Sequence, residues 1–303
     1  RWYSGTGIYR PVWLFAAEEK HIVMNSVRVR TLGIHPARIH VEAKASAAGE
    51  VKLEVLDGEK VIVESSIAAG QSGEVSFDAE VSDARLWDVD SPNLYKARLS
   101  YEKDVAEVTF GIRTLTWTPE KGIAINGKRT VVRGACIHHD NGILGACTYP
   151  EVEERRIRLL KEAGYNAVRS AHNPASKYQL EACDRLGMLM MDEYVDCWYM
   201  HKTEHDYASY VTDWWKQDLK DMVEKDYNHP CVIMYSTGNE VAETAQEKGI
   251  ALQKEFTEYL HGLMAYVRQT GVKVTGDPLA RTFIAMNKRK DYTRYRQIWL
   301  PIE

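Results

Sequence analysis

The chain has 303 residues, enough for two or three domains, and its 45% hydrophobic and 27% charged residues are typical of a soluble globular protein. A net charge of −4 at pH 7 gives no electrostatic reason to expect a nucleic acid or an anionic membrane as partner, and no apolar run could span a bilayer. No signal peptide is visible, and the five cysteines at irregular spacing predict free thiols in a reducing compartment, so we expect a cytoplasmic protein.

The first hundred residues carry the pattern of short antiparallel strands. Two apolar–polar alternations flank an Asp57-Gly58 turn, over 51–56 and 59–64, which is a strong hairpin signal. The same alternation recurs over 21–30, 37–45, 74–81 and 94–101. Short strands at this spacing predict a β-sandwich of about 100 residues. No catalytic cluster is visible in this part of the sequence.

From residue 123 onward the pattern changes to alternating strands and helices. A hairpin is predicted over 123–132, with its turn at Asn126-Gly127. Thr148 and Ser176 are expected to cap two helices, and Gly187 to end the second. The predicted strands are 131–137, 166–170, 188–193, 232–239 and 272–275, and the predicted helices are 150–163, 176–187, 206–227 and one from about 241 to 269. Repeated strand–helix units imply parallel strands, but the pattern leaves both a barrel and a doubly wound sheet open.

One strand end carries a candidate catalytic carboxylate. The apolar run from residue 232 ends abruptly in Gly238-Asn239-Glu240. An amide can hold a sugar hydroxyl, and a neighbouring carboxyl can protonate a glycosidic oxygen. The alternative is that Glu240 is an acidic residue stabilising the next helix.

Polar residues also follow the other predicted strands. If the strands are parallel, all of these groups converge on one face, where the active sites of barrel enzymes lie. The clusters are His138-His139-Asp140, the run from Arg169 through His172 to Pro174, the run from Asp192 through Asp196 to Trp198, and Asn239-Glu240.

Three competing motifs are disfavoured, so we predict no metal and no cofactor. His201, Glu204 and His205 fit an H-x-x-E-H zinc pattern, but they lie in a predicted loop and not on one helical face. Adjacent His138 and His139 on a strand point to opposite faces, which makes a shared ion awkward. The glycines at 5 and 7 are an incomplete dinucleotide fingerprint without a following helix.

Together these segments resemble glycoside hydrolase family 2, the β-galactosidase and β-glucuronidase group. The matching motifs, which cover roughly residues 1 to 275, are RWYSGTGIYRPVW at 1–13, FGIR at 110–113, NG at 126–127 with RG at 133–134, NAVRSAHNP at 166–174, CDRLG at 183–187, MDE at 191–193 and GNE at 238–240.

The resemblance implies a multidomain chain. Residues 1–13 would be the last strand of a jelly-roll sugar-binding domain, 14–110 an immunoglobulin-like β-sandwich, and 111–303 a (β/α)8 TIM barrel that is incomplete. Glu240 would be the general acid/base, and Asn239 would hold the substrate near its 2-hydroxyl. The sugar subsite would be lined by His138, Arg169, His172 and Trp198, with Asp196 as a further candidate.

The implied reaction is retaining hydrolysis of a β-linked glycoside, of the β-galactosidase type. In this reaction a second carboxylate attacks the anomeric carbon. None of the residues after Glu240 matches the family's nucleophile motif, and Glu243, Glu247, Glu255 and Glu258 are expected to be solvated or capping. We therefore expect a fragment that needs further chain segments or homo-oligomerisation and that can be inactive in isolation. Cys197 and Tyr199 stand where the magnesium ligands of some relatives are expected, so no metal is implied.

Two alternatives remain open. The chain could act on another sugar within the same family, as a β-glucuronidase or a β-mannosidase. It could also be a non-catalytic carbohydrate-binding or structural remnant.

Overall fold

A computed structural model describes residues 7–118, 122–263 and 273–275. The first part of the predicted jelly-roll strand, the end of the helix predicted to reach residue 269, and residues 276–303 lie outside the described residues. Among the described residues, no helix combines the length and the apolar character needed to cross a bilayer. All five cysteines lie within them and are free thiols, as predicted.

The first domain is the predicted β-sandwich. One sheet has the order β1-β2-β5 and the other β4-β3-β6-β7, with every described pair antiparallel. The strands are β1 (Arg28–Ile34), β2 (Ala37–Lys44), β3 (Gly49–Asp57), β4 (Lys60–Ala69), β5 (Glu74–Glu80), β6 (Tyr95–Tyr101) and β7 (Asp104–Phe110). Val41 from one sheet and Leu53 and Leu99 from the other are fully buried in a shared core, which explains the apolar–polar alternation.

Two sequence predictions in this domain were displaced. The strand predicted from residue 21 begins only at Arg28, because the chain turns at Asn25 with φ at +59°. The hairpin turn is formed by Gly58 and Glu59, one residue later than predicted, since Asp57 pairs with Lys60. Gly58 has φ at +61°, in the region that glycine adopts without strain.

A small antiparallel sheet joins the two domains. It contains β8 (Leu115–Thr118), β9 (Gly122–Ile125) and β10 (Lys128–Arg129). Asn126 and Gly127 form the predicted turn, with φ at +52° and +78°. The Asn126 amide donates to the Trp87 carbonyl at 3.0 Å, and its carbonyl accepts from the Thr114 backbone N–H at 2.9 Å, which ties the hairpin to the sandwich.

The second domain contains a parallel sheet whose strands follow one another in chain order. Neighbouring strands are all parallel, without the reversal of order that defines a doubly wound sheet. The arrangement is therefore that of successive strands of a (β/α) barrel. The strands are β11 (Gly134–His138), β12 (Ala167–Ala171), β13 (Leu189–Glu193), β14 (Val232–Ser236) and β15 (Lys273–Thr275), and the helices are α1 (Pro150–Glu162), α2 (Lys177–Leu186), α3 (Ala208–Asp226) and α4 (Glu247–Leu263).

The predicted ends of α2 are confirmed. The hydroxyl of Ser176 accepts the Gln179 backbone N–H at 3.1 Å, and Gly187 is left-handed with φ at +68°. Thr148 is not the cap: α1 starts at Pro150 as predicted, but Tyr149 holds the N-cap position, and Pro150 has no N–H to satisfy.

The segment after β14 also differs from prediction. The strand ends at Ser236, and residue 241, where a helix was predicted to open, is extended. A short 3-10 helix (Ala242–Ala245) precedes α4. Residues 237–241 therefore form an irregular turn, which is the position from which barrels present catalytic side chains.

The sandwich docks on the amino-terminal end of the parallel strands. Arg113 donates from Nε to the Pro230 carbonyl at 2.6 Å and from Nη2 to the Val232 carbonyl at 2.8 Å. The indole N–H of Trp87 donates to the Asp184 carbonyl at 2.9 Å. This contact leaves the opposite, carboxyl-terminal edge of the sheet free of the sandwich.

The variant Arg113→Met should lower the free energy of unfolding by about 1.5–3 kcal/mol, because two carbonyls at the domain contact lose a charged donor. Urea denaturation followed by tryptophan fluorescence measures the change. Arg129→Met, on the exposed strand β10, is the matched control and should change stability by less than about 0.5 kcal/mol. Equal effects of the two variants would show that Arg113 contributes nothing specific to the domain contact.

Candidate active site

Four strand ends meet at the carboxyl-terminal edge of the parallel sheet. His138 at the end of β11 contacts His172 after β12 edge-to-face, with ring centroids 5.0 Å apart. The side chain of Arg169 on β12 reaches across β13 to the side-chain oxygen of Asn239, with Nη2 lying 3.2 Å from Oδ1. The structure therefore brings four of the predicted strand-end residues into one connected group.

The centre of this group is Glu193, the last residue of β13, whose side chain is 0% exposed. Its carboxylate accepts from Nε of Arg169 at 2.7 Å and also from Nη2 of the same guanidinium. It accepts further from Nδ1 of His172 and from the hydroxyl of Ser236, both at 2.7 Å. Because an ionised carboxylate only accepts, the proton of this His172 hydrogen bond lies on Nδ1.

Asn239 lies between two ion pairs. Its carbonyl oxygen accepts from Arg169, which is paired with Glu193. Its amide nitrogen donates to Oδ1 of Asp196 at 2.9 Å, and Asp196 is paired with Lys202 at 3.0 Å. Both ends of the amide group are thus held, which fixes its orientation in the site.

Glu240 follows directly and is exposed, at the open edge of the sheet. Its backbone φ is +47°, in the left-handed region, so the chain bends sharply at this residue. A non-glycine residue in this region is uncommon and recurs at functional sites.

Trp198 supports this turn from within the protein. The side chain is fully buried, its indole N–H donates to the Thr237 carbonyl at 2.8 Å, and its ring packs against Phe256. A Cβ at position 238 would lie 2.7 Å from the indole nitrogen, so only glycine fits there. The resemblance implied that Trp198 lines the sugar subsite, whereas the structure places it beneath the Gly238 backbone, out of solvent.

His138, the last residue of β11, and His139, which follows it, have different surroundings. Burial and the neighbouring His172 lower the pKa of His138, and the backbone carbonyl of His138 accepts from Nη2 of Arg156 at 2.5 Å. Burial, with the positive charge of Arg10 beside it, lowers the pKa of His139 to about 3. His139 is therefore a neutral imidazole that accepts from the Arg10 guanidinium at 3.0 Å.

Three residues of the site were not predicted as functional from the sequence. Glu193 was noted only as part of a run, and Lys202 was not considered. Glu243 was expected on a helix surface, yet its side chain is buried, and Oε1 accepts from the backbone N–H groups of residues 198, 199 and 200 at 3.2, 3.0 and 2.8 Å. Apart from the contact of Lys202 with Asp196, six positions away, their side-chain hydrogen bonds join residues 21 to 45 positions apart, which no local pattern reveals.

Behind the site lie two further buried carboxyl groups, Asp192 on β13 and Asp226 at the end of α3. Asp192 accepts from the Ser170 hydroxyl at 2.6 Å and from the Ala175 backbone N–H at 2.7 Å. Burial alone would raise the pKa of Asp192, but the Lys225 ammonium and these hydrogen bonds hold it below its ordinary value. Burial raises the pKa of the neighbouring Asp226 well above its ordinary value, although the Lys225 ammonium also donates to its Oδ1.

The residues that fit the disfavoured zinc pattern do not converge, either. Nδ1 of His201 pairs with Asp206 at 2.8 Å, while His205 is exposed beside Glu204. Within 7–118, 122–263 and 273–275, no three His, Cys, Asp or Glu side chains are grouped as metal ligands.

Comparison with known proteins identifies the two domains. A family model described as glycosyl hydrolases family 2 matches residues 21–113, and one described as glycosyl hydrolases family 2, TIM barrel domain, matches residues 118–275. A β-galactosidase (BoGH2A) of Bacteroides ovatus is 37% identical over 80% of this chain and 31% of its own length. A protein of Formosa agariphila named as a putative β-glucuronidase is 32% identical over 84% of this chain and 26% of its own length.

A solved structure shares both the fold and the sequence pattern. The glycosyl hydrolase family 2 member from Bacteroides cellulosilyticus superimposes with a TM-score of 0.84 and 35% identity, over 91% of this chain and 37% of that one. The present chain thus spans about a third of the length of the proteins it matches.

Replacing Glu193 by Gln should lower the free energy of unfolding by about 3–5 kcal/mol, because the Arg169 guanidinium is left without its buried counter-charge. Urea denaturation measures the loss. The double variant Arg169→Met/Glu193→Gln should be clearly less destabilised than the sum of the two single variants, since the orphaned charge is gone. Additive effects would show that the two groups are not coupled.

The low pKa of His139 predicts a pH dependence of stability. The unfolded chain takes up a proton at this histidine below about pH 6.5, whereas the folded chain does so only near pH 3. The free energy of unfolding should therefore decrease as the pH is lowered from about 6.5 to about 3, by up to about 1.4 kcal/mol per pH unit for this group. In His139→Gln the slope between pH 6 and pH 4 should be shallower; identical slopes would contradict the assignment.

Proposed function

The chain belongs to glycosyl hydrolase family 2, and we propose that it carries the acid/base half of a retaining β-glycosidase site, with Glu240 as the general acid/base. The observation that carries the proposal is the Asn239–Glu240 turn at the end of β14. Glu240 is exposed there, and the amide before it is held at both ends by the Arg169–Glu193 and Lys202–Asp196 pairs.

The proposed reaction has two steps. The protonated carboxyl of Glu240 gives its proton to the glycosidic oxygen as the aglycone leaves, while a second carboxylate forms a bond to the anomeric carbon. Glu240 then takes a proton from water, and the water oxygen displaces the carboxylate from that carbon. A fixed Asn239 amide donates to a substrate hydroxyl near the reacting carbon, and His138, Arg169 and His172 form the adjoining wall.

Glu193 is an unsuitable nucleophile. It is fully buried, and its two oxygens accept hydrogen bonds from Arg169, His172 and Ser236. Its role is to hold those side chains in place. We place the second carboxylate outside the described residues.

The proposed substrate is a β-galactoside. The 37% identical relative is named a β-galactosidase, while β-glucuronidase names also occur among the relatives, so β-glucuronides and β-mannosides are the alternatives. The charge balance favours a neutral sugar, because Arg169 and Lys202 are already paired with Glu193 and Asp196. A uronate carboxylate would need a further cation.

We also assign the domains as 14–110 for the sandwich and 111–303 for the barrel, with 1–13 as the jelly-roll strand. In support, the two family models divide the chain a few residues after this boundary, between residues 113 and 118.

The test is hydrolysis of p-nitrophenyl β-galactoside and β-glucuronide by a form of the protein that contains the second carboxylate and by its Glu240→Gln variant. We expect galactoside hydrolysis that falls by about 10²–10⁴-fold in the variant, because acid/base assistance is lost. Glu247→Gln, at the exposed start of α4, is the matched control and should retain full activity.

Two outcomes would contradict the proposal. Full activity in Glu240→Gln would remove its acid/base role. No hydrolysis by the unsubstituted protein that contains the second carboxylate, together with measurable galactose binding by calorimetry, would favour the non-catalytic carbohydrate-binding alternative.

A further inference from the structure

We propose that Lys202 is a positioning residue whose ammonium group fixes the turn carrying Asn239 and Glu240; its consequence for catalysis rests on the proposed function. Lys202 belongs to the loop between β13 and α3, away from the strand that carries the turn. Its side chain is only 18% exposed.

The ammonium group donates to three oxygens. It lies 2.6 Å from the backbone carbonyl of Asp196 and 3.0 Å from Oδ1 of the same residue, and it also donates to the backbone carbonyl of Asn239. A lysine ammonium has three N–H donors and no acceptor. Lys202 therefore uses its full donor capacity on these two residues.

The contact between Lys202 and the Asn239 carbonyl lies beyond the last residue that is held by strand pairing. Ladder pairing between β14 and β15 ends at Ser236, three residues before Asn239. The carbonyl of Asn239 is the last backbone group before the left-handed bend at Glu240. A donor at that carbonyl restrains the peptide plane from which the Glu240 side chain departs.

The same ammonium sets the charge at the Asn239 amide. Oδ1 of Asp196 accepts from both Lys202 and the Asn239 side chain. Lys202 therefore holds the carboxylate in the position from which it orients the amide, and offsets its negative charge beside the strand-end carbonyls.

Lys202 itself is held by its loop. Oδ2 of Asp206 accepts the backbone N–H groups of Lys202 at 2.6 Å and Thr203 at 2.8 Å. Upstream, the buried carboxylate of Glu243 accepts three successive backbone N–H groups of the same loop. A cation on a restrained loop can position its partners to within the tolerance that catalysis needs.

The test compares Lys202→Met with the unsubstituted chain by hydrogen exchange of the peptide that covers residues 236–243. Exchange there should rise by at least about tenfold, because the turn loses its restraint, while protection of β3 and β6 in the sandwich stays unchanged. Lys248→Met is the matched control, since Lys248 lies over the Tyr199 ring, 4.3 Å away, and should leave the turn unaffected. Unchanged exchange at 236–243 in Lys202→Met would overturn the proposal.

A second variant guards against general unfolding and tests the charge itself. In Lys202→Ala, methylammonium should restore slow exchange at 236–243, whereas tetramethylammonium, which has no N–H donor, should not. Equal effects of the two cations, or none from either, would overturn the proposal.

The effect of Lys202 on catalysis is measured by steady-state kinetics, independently of the exchange experiments. Lys202→Met should lower kcat on p-nitrophenyl β-galactoside by about 10–100-fold and change KM by less than about threefold, since the acid is misplaced and the subsite remains. Faster exchange with unchanged kcat would overturn the consequence for catalysis. If the unsubstituted protein that contains the second carboxylate shows no hydrolysis, the proposed function fails, while the exchange experiments still decide the role of Lys202.

Discussion

The carboxylate of Glu193 accepts hydrogen bonds from side chains on β12, on the loop after it and on β14, and it lies on β13 itself. Burying a charged carboxylate without such partners would cost several kcal/mol. Full hydrogen bonding offsets that cost only in one register of the three strands, because a slip of one residue would turn the partner side chains to the other face. The geometry of the site therefore follows from satisfying this one buried charge.

From Glu193, a chain of hydrogen bonds extends toward the solvent through groups of alternating charge. Arg169 links the carboxylate to the Asn239 amide, and the amide links it to Asp196 and Lys202. Each hydrogen bond is strengthened by its neighbours because the surroundings exclude most water. The exposed Glu240 thus stands at the edge of a framework of paired charges, and in the proposed function its carboxyl is the reactive group.

The two ends of the parallel sheet have separate tasks. At the amino-terminal end, Arg113 and Trp87 hold the sandwich against the second domain by donating hydrogen bonds to backbone carbonyls of that domain. These contacts stabilise the loops there and involve no residue of the candidate site. At the carboxyl-terminal end the strands release polar side chains into irregular turns. Such a division lets the turns carry strain, as at Glu240, while the packed end supplies stability.

The sequence by itself determined the elements that depend on local physics: the Asn126-Gly127 turn, the Ser176 cap, the Gly187 stop and the buried strands with polar residues at their ends. It also placed Arg169, His172, Asp196 and Asn239 in one candidate site, since parallel strands present their ends on one edge. Only the tertiary structure decided that Trp198 is buried and that Glu193, Lys202 and Glu243 are central. Apart from the contact of Lys202 with Asp196, their side-chain hydrogen bonds join residues 21 to 45 positions apart. A charged residue looks the same in sequence whether it is solvated or buried, because its partners are brought to it only by the folding of distant strands and loops.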